Sequence, residues 1–175
     1  MSKSALILLA PLALAGCATM PAGMQETLGT ADLRMADGRS AGTATLVAVG
    51  NSLAVDVEVS GVPAGTKGFH LHTTGQCTPP DFQSAGGHLN PFNQDHGFAD
   101  PDGSHLGDLR NIDIDSGGVT RARLDLTGTR EEVLPYIFDT DGTAVMIHAQ
   151  PDDYVTDPSG NSGSRIVCGV LQRSN

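Results

Sequence analysis

Residues 53–59, Leu-Ala-Val-Asp-Val-Glu-Val, contain the clearest secondary-structure signal of this 175-residue chain. Large apolar side chains alternate with mostly polar ones, which is the pattern of a strand with one buried face. Weaker runs of the same kind, bounded mainly by the turn residues Gly, Pro, Asn and Asp, lie at residues 31–35, 42–49, 66–72, 109–114, 119–126, 143–149 and 165–171. The chain contains 22 Gly, 10 Pro and no Trp, and its length suits one domain. We therefore predict a single all-β domain of eight antiparallel strands.

The first sixteen residues have the features of an export signal and are set aside from the folded domain. Lys3 precedes the apolar stretch 5–15, which is shorter than the about 20 residues that span a bilayer. This stretch ends at Leu14-Ala15-Gly16-Cys17, which resembles the lipobox of bacterial lipoproteins. The resemblance implies cleavage before Cys17, lipidation of that cysteine, and a periplasm-facing protein anchored to a membrane of the bacterial cell envelope. An ordinary secretory signal that ends near a cysteine is the alternative.

Residues 17–30 carry no periodicity, and we predict that they form the lipidated N-terminus and a flexible tether. The folded domain then covers residues 31–175. With Cys17 assigned to the lipid, Cys77 and Cys168 remain, and in an oxidising compartment these two can pair. Two separately buried thiols are the alternative. The formal net charge of −10 argues against nucleic acid as a partner.

Two segments between the predicted strands, residues 73–108 and 150–164, are too long for hairpin turns. Loops of this length inside one domain are usually functional or disordered. The first of them contains Cys77 and several potential metal ligands. A disulfide and a metal ion would supply the order that a hydrophobic core does not.

All six histidines of the chain fall into short clusters that also include one aspartate. Neutral imidazole is the commonest metal ligand among side chains, so this distribution indicates coordination. His70 and His72 lie two residues apart on a predicted strand and project from one face. Such a pair by itself is weak evidence for a metal site, and His148 by itself would suit a core position. A nitrogen-rich set with one carboxylate suits tetrahedral zinc, and an all-histidine set with an open position suits copper. The candidate ligands are His70, His72, His88, His96, His105, Asp108 and His148.

These residues lie in motifs that resemble those of the Cu/Zn superoxide dismutases, in the family's order and across residues 31 to 172. The resemblance implies an eight-stranded Greek-key β-barrel or flattened sandwich with two long functional loops, in agreement with the predicted strands. The matching motifs are Gly68-Phe69-His70-Leu71-His72, Ser84-Ala85-Gly86-Gly87-His88-Leu89-Asn90-Pro91, His96-Gly97, His105-Leu106-Gly107-Asp108-Leu109, Val145-Met146-Ile147-His148, and Gly160-Asn161-Ser162-Gly163-Ser164-Arg165-Ile166-Val167-Cys168-Gly169.

The resemblance also implies roles for individual positions. It implies one copper ion per chain, held by His70, His72, His88 and His148. It implies one zinc ion per chain, held by His88, His96, His105 and Asp108, so that His88 is shared. Cys77 and Cys168 match the family disulfide, and Arg165 matches the arginine beside the copper. Asp152 matches the carboxylate that links a copper histidine to a zinc histidine, here His70 to His96.

The implied activity is that of an oxidoreductase that converts superoxide to oxygen and hydrogen peroxide, with copper alternating between Cu(II) and Cu(I). The implied catalytic residues are His88 and Arg165. In the family mechanism the shared histidine leaves copper on reduction and carries a proton to the peroxide. Without the surrounding motif, Arg165 would suit a surface ion pair.

Departures from the eukaryotic pattern leave several points open. Cys77 lies only five residues after His72, an arrangement typical of bacterial members, and loop 150–164 contains no lysine. The residues that eukaryotic members use there for electrostatic guidance cannot be assigned, and a monomer and a homodimer both stay open. Two other functions also stay open: a non-catalytic copper- and zinc-binding envelope lipoprotein, and a structural dismutase-like domain that binds zinc only.

Overall fold

Ten β-strands make up most of the regular structure in residues 25–99, 101 and 103–175, which are the residues that the computed structural model describes. One α-helix, α1 (Arg130–Ile137), and one 3-10 turn (Gln83–Ala85) lie between them. The strands are β1 (Gln25–Met35), β2 (Ser40–Val49), β3 (Ser52–Ser60), β4 (Gly65–Lys67), β5 (Phe69–His72), β6 (Ile112–Ile114), β7 (Val119–Asp125), β8 (Ala144–His148), β9 (Arg165–Val170) and β10 (Gln172–Arg173).

Eight of these strands form one curled antiparallel sheet with the shape of a half-barrel. The strand order is β5-β8-β9-β1-β2-β3-β7, with β10 added beside β1. β4 and β6 form a separate two-stranded sheet. The order makes β5, β8 and β9 neighbours although they are far apart in sequence. These three strands carry His70, His72, His148 and Arg165.

The larger of two hydrophobic clusters anchors the strands that carry the histidines. The four large apolar side chains of β3 are each no more than 2% exposed, as their alternation predicts. Phe69 and Leu71 of β5 are completely buried in the same core. Burial of one such side chain contributes roughly 1.5–3 kcal/mol relative to exposure. The core therefore fixes one face of β5, and the alternation of side chains directs His70 and His72 to the other face.

The prediction of an antiparallel all-β fold is confirmed, with differences in detail. The predicted strand 66–72 is split into β4 and β5, which belong to different sheets, and β10 is an additional short strand. The prediction that residues 25–30 belong to a tether is wrong, because they lie in β1. They pair with β2 through the main chain, which does not require the alternating apolar residues on which the prediction depended. The Greek-key order stays a prediction.

Helix α1 lies between β7 and β8, in a segment for which the strand pattern predicts nothing. The Thr129 hydroxyl accepts from the Glu132 amide, and the Glu132 carboxylate accepts from the Thr129 amide at 2.9 Å. This reciprocal pair is a capping box, so Thr129-Arg-Glu-Glu132 is the sequence signal that indicates the helix. Val133 and Ile137 are the buried residues of α1 and pack into the core.

The predicted signal peptide, residues 1–16, lies outside the described residues. The same holds for the predicted lipidation site Cys17 and for the tether up to residue 24. Within the part of the chain that the structure describes, no helix has the length and apolarity needed to cross a membrane.

Candidate metal centre

Strands β5 and β8 place three histidines side by side. His70 and His72 project from one face of β5 and are completely buried. His148 ends β8, and its main-chain amide donates to the Gly68 carbonyl oxygen at 2.9 Å. The Nε2 atoms of His72 and His148 are consequently only 3.4 Å apart.

Loop 73–108 returns to β5 and adds further ligands. Two isolated bridges join the loop to the strand, one at His88 and one at Asp108. Gly107 permits this approach, because a Cβ atom there would lie 2.3 Å from the Leu71 carbonyl oxygen. The described part of the loop therefore lies beside the strand despite the length of the loop.

An all-histidine set forms on the side of β5 and β8, and hydrogen bonds select which ring nitrogen each histidine presents. His72 Nδ1 lies 2.9 Å from the Gly86 carbonyl oxygen, and His148 Nδ1 lies 3.2 Å from that of Gly163. Because a carbonyl oxygen only accepts, each Nδ1 carries the proton and each Nε2 presents its lone pair. One nitrogen from each ring lies within 4.8 Å of the others in the set His70, His72, His88 and His148.

The other two rings of this set provide the test for a bound metal. His70 Nε2 lies 2.6 Å from Asp152 Oδ2, so Nδ1 is the ring nitrogen of His70 that is left to bind a metal ion. His70 Nδ1 and His88 Nε2 are buried and have no hydrogen-bond partner among the described residues. Buried nitrogens are rarely left without a partner. A copper ion would satisfy both, and an all-imidazole set suits copper.

A second set forms around Asp108. The Nδ1 atoms of His88, His96 and His105 lie 2.8, 3.1 and 3.1 Å from Asp108 Oδ1. Asp108 Oδ2 accepts from the main-chain amides of Gly97 and His105 at 2.9 and 3.0 Å. Three nitrogens and one carboxylate oxygen are a typical zinc ligand set. His88 thus directs Nδ1 to this set and Nε2 to the all-histidine set.

Burial keeps three rings of the all-histidine set neutral, those of His72, His88 and His148. Burial, together with nearby His88, lowers the pKa of His72 to about 2. Burial, together with His70, lowers the pKa of His148 to about 3. Burial also lowers the pKa of His88 to about 4, despite its hydrogen bond with Asp108. These three rings are therefore in the neutral form that binds metal ions at pH 7.

The two carboxylates beside the histidines, Asp108 and Asp152, favour the charged form, in contrast to the neutral rings. Burial alone would raise the pKa of Asp108 and of Asp152, but hydrogen bonds with histidines hold both well below the usual range. Burial would lower the pKa of His96, yet hydrogen bonds with these two carboxylates raise it to about 9. Asp152 Oδ1 lies 3.1 Å from His96 Nε2, and its Oδ2 contacts His70. Asp152 therefore orients one imidazole of each set.

Arg165 begins β9, in register with the last residue of β8. Its Nη1 and Nη2 atoms donate to the carbonyl oxygens of Phe82 and Gly86 at 2.7 and 2.6 Å. Cys77 and Cys168 form a disulfide, as predicted, with Cα atoms 5.7 Å apart. The disulfide fastens the segment that carries both carbonyl groups to β9.

The structure brings all the predicted site residues of the folded domain together, and their roles as ligands and catalytic groups stay predictions. It adds contacts to Asp152 from three residues to which sequence reasoning gave no role. The side chain of Asn111 makes two hydrogen bonds of 2.9 Å to the main chain of Asp152. Tyr154 donates its main-chain amide to Asp152 Oδ1. A Cβ atom at Gly160 would lie 1.8 Å from that same oxygen. No local pattern predicts these contacts, although Gly160 lies in a matching motif, because each contact forms only in the fold.

Comparisons with known proteins agree with this geometry. Residues 40–171 match the family model described as copper/zinc superoxide dismutase. A Cu-Zn superoxide dismutase of Aquifex aeolicus is 39% identical over 151 residues, which cover 85% of this chain and 89% of the relative. A Cu-Zn superoxide dismutase of Deinococcus radiodurans is 38% identical over 180 residues, covering 94% and 92%. The crystal structure of a SOD-like protein from Bacillus subtilis superposes with a TM-score of 0.75 at 38% identity, covering 82% of this chain and 97% of that one. The chain belongs to the Cu/Zn superoxide dismutase family.

Proposed function

We propose that this protein converts superoxide to oxygen and hydrogen peroxide, with one copper and one zinc ion per chain, in the bacterial cell envelope. The position of His88 carries the proposal. Its Nδ1 lies 2.8 Å from Asp108 Oδ1 in the zinc-type set. Its buried Nε2 belongs to the all-histidine set and has no hydrogen-bond partner among the described residues. One imidazole shared by two adjoining ligand sets suits a two-metal centre, and a domain that bound only zinc would have no use for it.

Copper would supply one-electron chemistry by alternating between Cu(II) and Cu(I), and zinc would hold His88 and its loop. Arg165 binds the anionic substrate. Its guanidinium has five N–H donors, and the carbonyl oxygens of Phe82 and Gly86 occupy two of them. The remaining donors and the positive charge are available to a small oxyanion. This local cation is needed because the formal net charge of −10 repels an anion.

His88 supplies one of the two protons that hydrogen peroxide requires, and the second comes from solvent. When Nε2 is not a ligand it can hold a proton, while Nδ1 stays directed toward Asp108. The side chain is only 2% exposed, so bulk water has little access to it. The residue can therefore transfer that proton to the reduced substrate without rotating away from the zinc-type set.

The test is superoxide dismutation by the soluble chain lacking residues 1–17, reconstituted with copper and zinc, alongside the metal content per chain. Rapid copper-dependent loss of superoxide with both metals bound supports the enzyme. Full loading with both metals but no activity would instead support the alternative function, a non-catalytic copper- and zinc-binding lipoprotein. His148→Ala should abolish the copper-dependent activity and leave the β-sheet circular dichroism unchanged, because this residue lies at a strand end. Undiminished turnover in that variant would place the copper elsewhere.

The envelope location is supported by two features. Leu14-Ala15-Gly16-Cys17 resembles a lipobox, and the disulfide persists in oxidising compartments. Exchange of Cys17 for Ser should move the protein from the membrane fraction to the soluble fraction, and persistent attachment would exclude lipidation as the anchor. A monomer and a homodimer both stay open, and sedimentation of the released domain distinguishes them.

A further inference from the structure

Tyr154 has a strained backbone beside the metal centre. Its φ is +63°, in the left-handed region that bulky residues avoid. Glycine would adopt this conformation without the energetic cost. Contacts with neighbouring residues must therefore offset the cost for the tyrosine. Backbone outliers of this kind concentrate at functional sites, where the surrounding structure maintains them.

The main chain of Tyr154 contacts the carboxylate that joins the two ligand sets. Its amide donates to Asp152 Oδ1 at 2.6 Å. The same oxygen lies 3.1 Å from His96 Nε2, and Oδ2 lies 2.6 Å from His70 Nε2. The position of Tyr154 therefore helps to determine how the carboxylate is presented to both imidazoles.

The hydroxyl group of Tyr154 secures Asp152 from a second direction. Tyr154 Oη accepts from the main-chain amide of Asn111 at 2.8 Å. Asn111 in turn pairs with the main chain of Asp152: its Nδ2 donates to the carbonyl oxygen and its Oδ1 accepts from the amide, both at 2.9 Å. The three residues thus form a closed ring of four hydrogen bonds.

Tyr154 also joins loop 150–164 to loop 73–108. Its carbonyl oxygen accepts from the Ala99 amide at 3.1 Å. A Cβ atom at Gly97 would lie 2.1 Å from that oxygen, so the main chains of the two loops are in direct contact next to a zinc-side ligand.

A cation–π group covers this junction. The rings of Phe98 and Tyr154 have centroids 5.7 Å apart. The guanidinium carbon of Arg110 lies 4.7 Å from the Phe98 centroid and 5.6 Å from the Tyr154 centroid. Such stacking is favourable at partly exposed sites. It therefore stabilises contact between the two loops from the solvent side.

We propose that Tyr154 is a positioning residue of the metal centre, which clamps Asp152 and holds loop 150–164 against the loop that carries His96, with Arg110 stacked on its outer side. This inference rests on the proposed metal centre, and it does not require that the protein dismutates superoxide. Because Asp152 contacts one histidine of each set, loosening this clamp loosens both metal sites. Zinc is affected more, since its ligands all lie on loop 73–108 and not on a strand.

The test compares Tyr154→Phe and Tyr154→Gly in the full metal-loaded chain. Tyr154→Phe removes only the hydroxyl group, and Tyr154→Gly relieves the backbone strain but removes the whole side chain. The readouts are the rate of zinc transfer to excess chelator and the Cu(II) electron paramagnetic resonance spectrum. Loss of outer contacts to metal ligands typically costs 10- to 100-fold in metal affinity. We expect zinc release from Tyr154→Gly to be at least roughly tenfold faster, with an altered Cu(II) spectrum and a smaller effect for Tyr154→Phe.

Matched controls use the same chemical changes elsewhere. Tyr136→Phe, on the partly exposed side of α1, should release zinc at the wild-type rate. Arg110→Gln should accelerate release moderately. Arg39→Gln, at an exposed arginine that pairs with Asp37, should not. Wild-type zinc release from Tyr154→Gly would overturn the proposal, as would equal acceleration by Tyr136→Phe. Faster release from Tyr154→Gly supports the clamp even if the chain does not dismutate superoxide, so the two proposals fail separately.

Discussion

Replacing both disulfide cysteines by alanine tests how much of the fold depends on this cross-link. Cys77 and Cys168 are 91 residues apart in sequence. In the chain-entropy model, opening a loop of that length lowers stability by roughly 4.6 kcal/mol at 25 °C, through the entropy of the unfolded chain. Cys168 also belongs to a buried cluster with Phe82 and Met146, so loss of its sulfur leaves a small cavity. We expect the free energy of unfolding to fall by about 4 to 5 kcal/mol, out of the about 5–15 kcal/mol typical of a domain.

The same variant should lose activity for a separate reason. The segment that the disulfide fastens to β9 carries the carbonyl oxygens of Phe82 and Gly86, which accept from Arg165 at 2.7 and 2.6 Å. Without the cross-link these acceptors are no longer held, and the guanidinium loses its orientation. Copper content should fall less than activity per bound copper, because no histidine of the all-histidine set lies between Cys77 and Gly86.

The assays are urea unfolding of the metal-free chain and dismutation per bound copper in the loaded chain. Leu46→Ala is the matched control: Leu46 is completely buried in β2, and such truncations cost about 3–5 kcal/mol. This control should lose comparable stability and keep its activity per copper. An unchanged unfolding midpoint in the cysteine variant would refute the cross-link reasoning. Equal losses of activity per copper in both variants would refute the role of the loop in orienting Arg165.

Two further perturbations test the second loop and the buried histidines. Gly160→Ala would place a Cβ atom 1.8 Å from Asp152 Oδ1. A competition titration should therefore show a zinc affinity that is lower by about 10- to 100-fold. The control is Gly38→Ala, at a glycine with φ +85° and no atom within 4 Å of an added Cβ, which should bind zinc normally. Acidification should destabilise the metal-free chain, because the pKa values of His72 and His148 are about 2 and 3 in the fold, against 6.5 for an ordinary histidine. The unfolded chain therefore binds more protons below about pH 6.5, and each ring lowers stability by about 2 kcal/mol at pH 5; a thermal midpoint that does not fall between pH 7 and pH 5 would contradict the burial of neutral rings.

Local patterns were sufficient for most of the strands and for the identity of the candidate ligands. The alternation in residues 53–59 reports a half-buried strand because side chains of a strand point alternately to two faces. His70 and His72 could be placed on one face by the same rule. Residues 25–30 could not be recognised as part of β1, since their order comes from main-chain pairing with β2 and their own side chains show no alternation.

The amino-acid sequence alone established the antiparallel β class, the candidate ligands and, through its motifs, the family, because these depend on side-chain chemistry and on short-range periodicity. The folded structure was needed to show which nitrogen each histidine presents, since the partners that select it are distant in sequence, such as Asp152 for His70. It was also needed to reveal the contacts of Tyr154 and Asn111 around Asp152. Hydrogen bonds between separate loops leave no pattern in either loop, because each partner satisfies a geometry that exists only after the chain has folded.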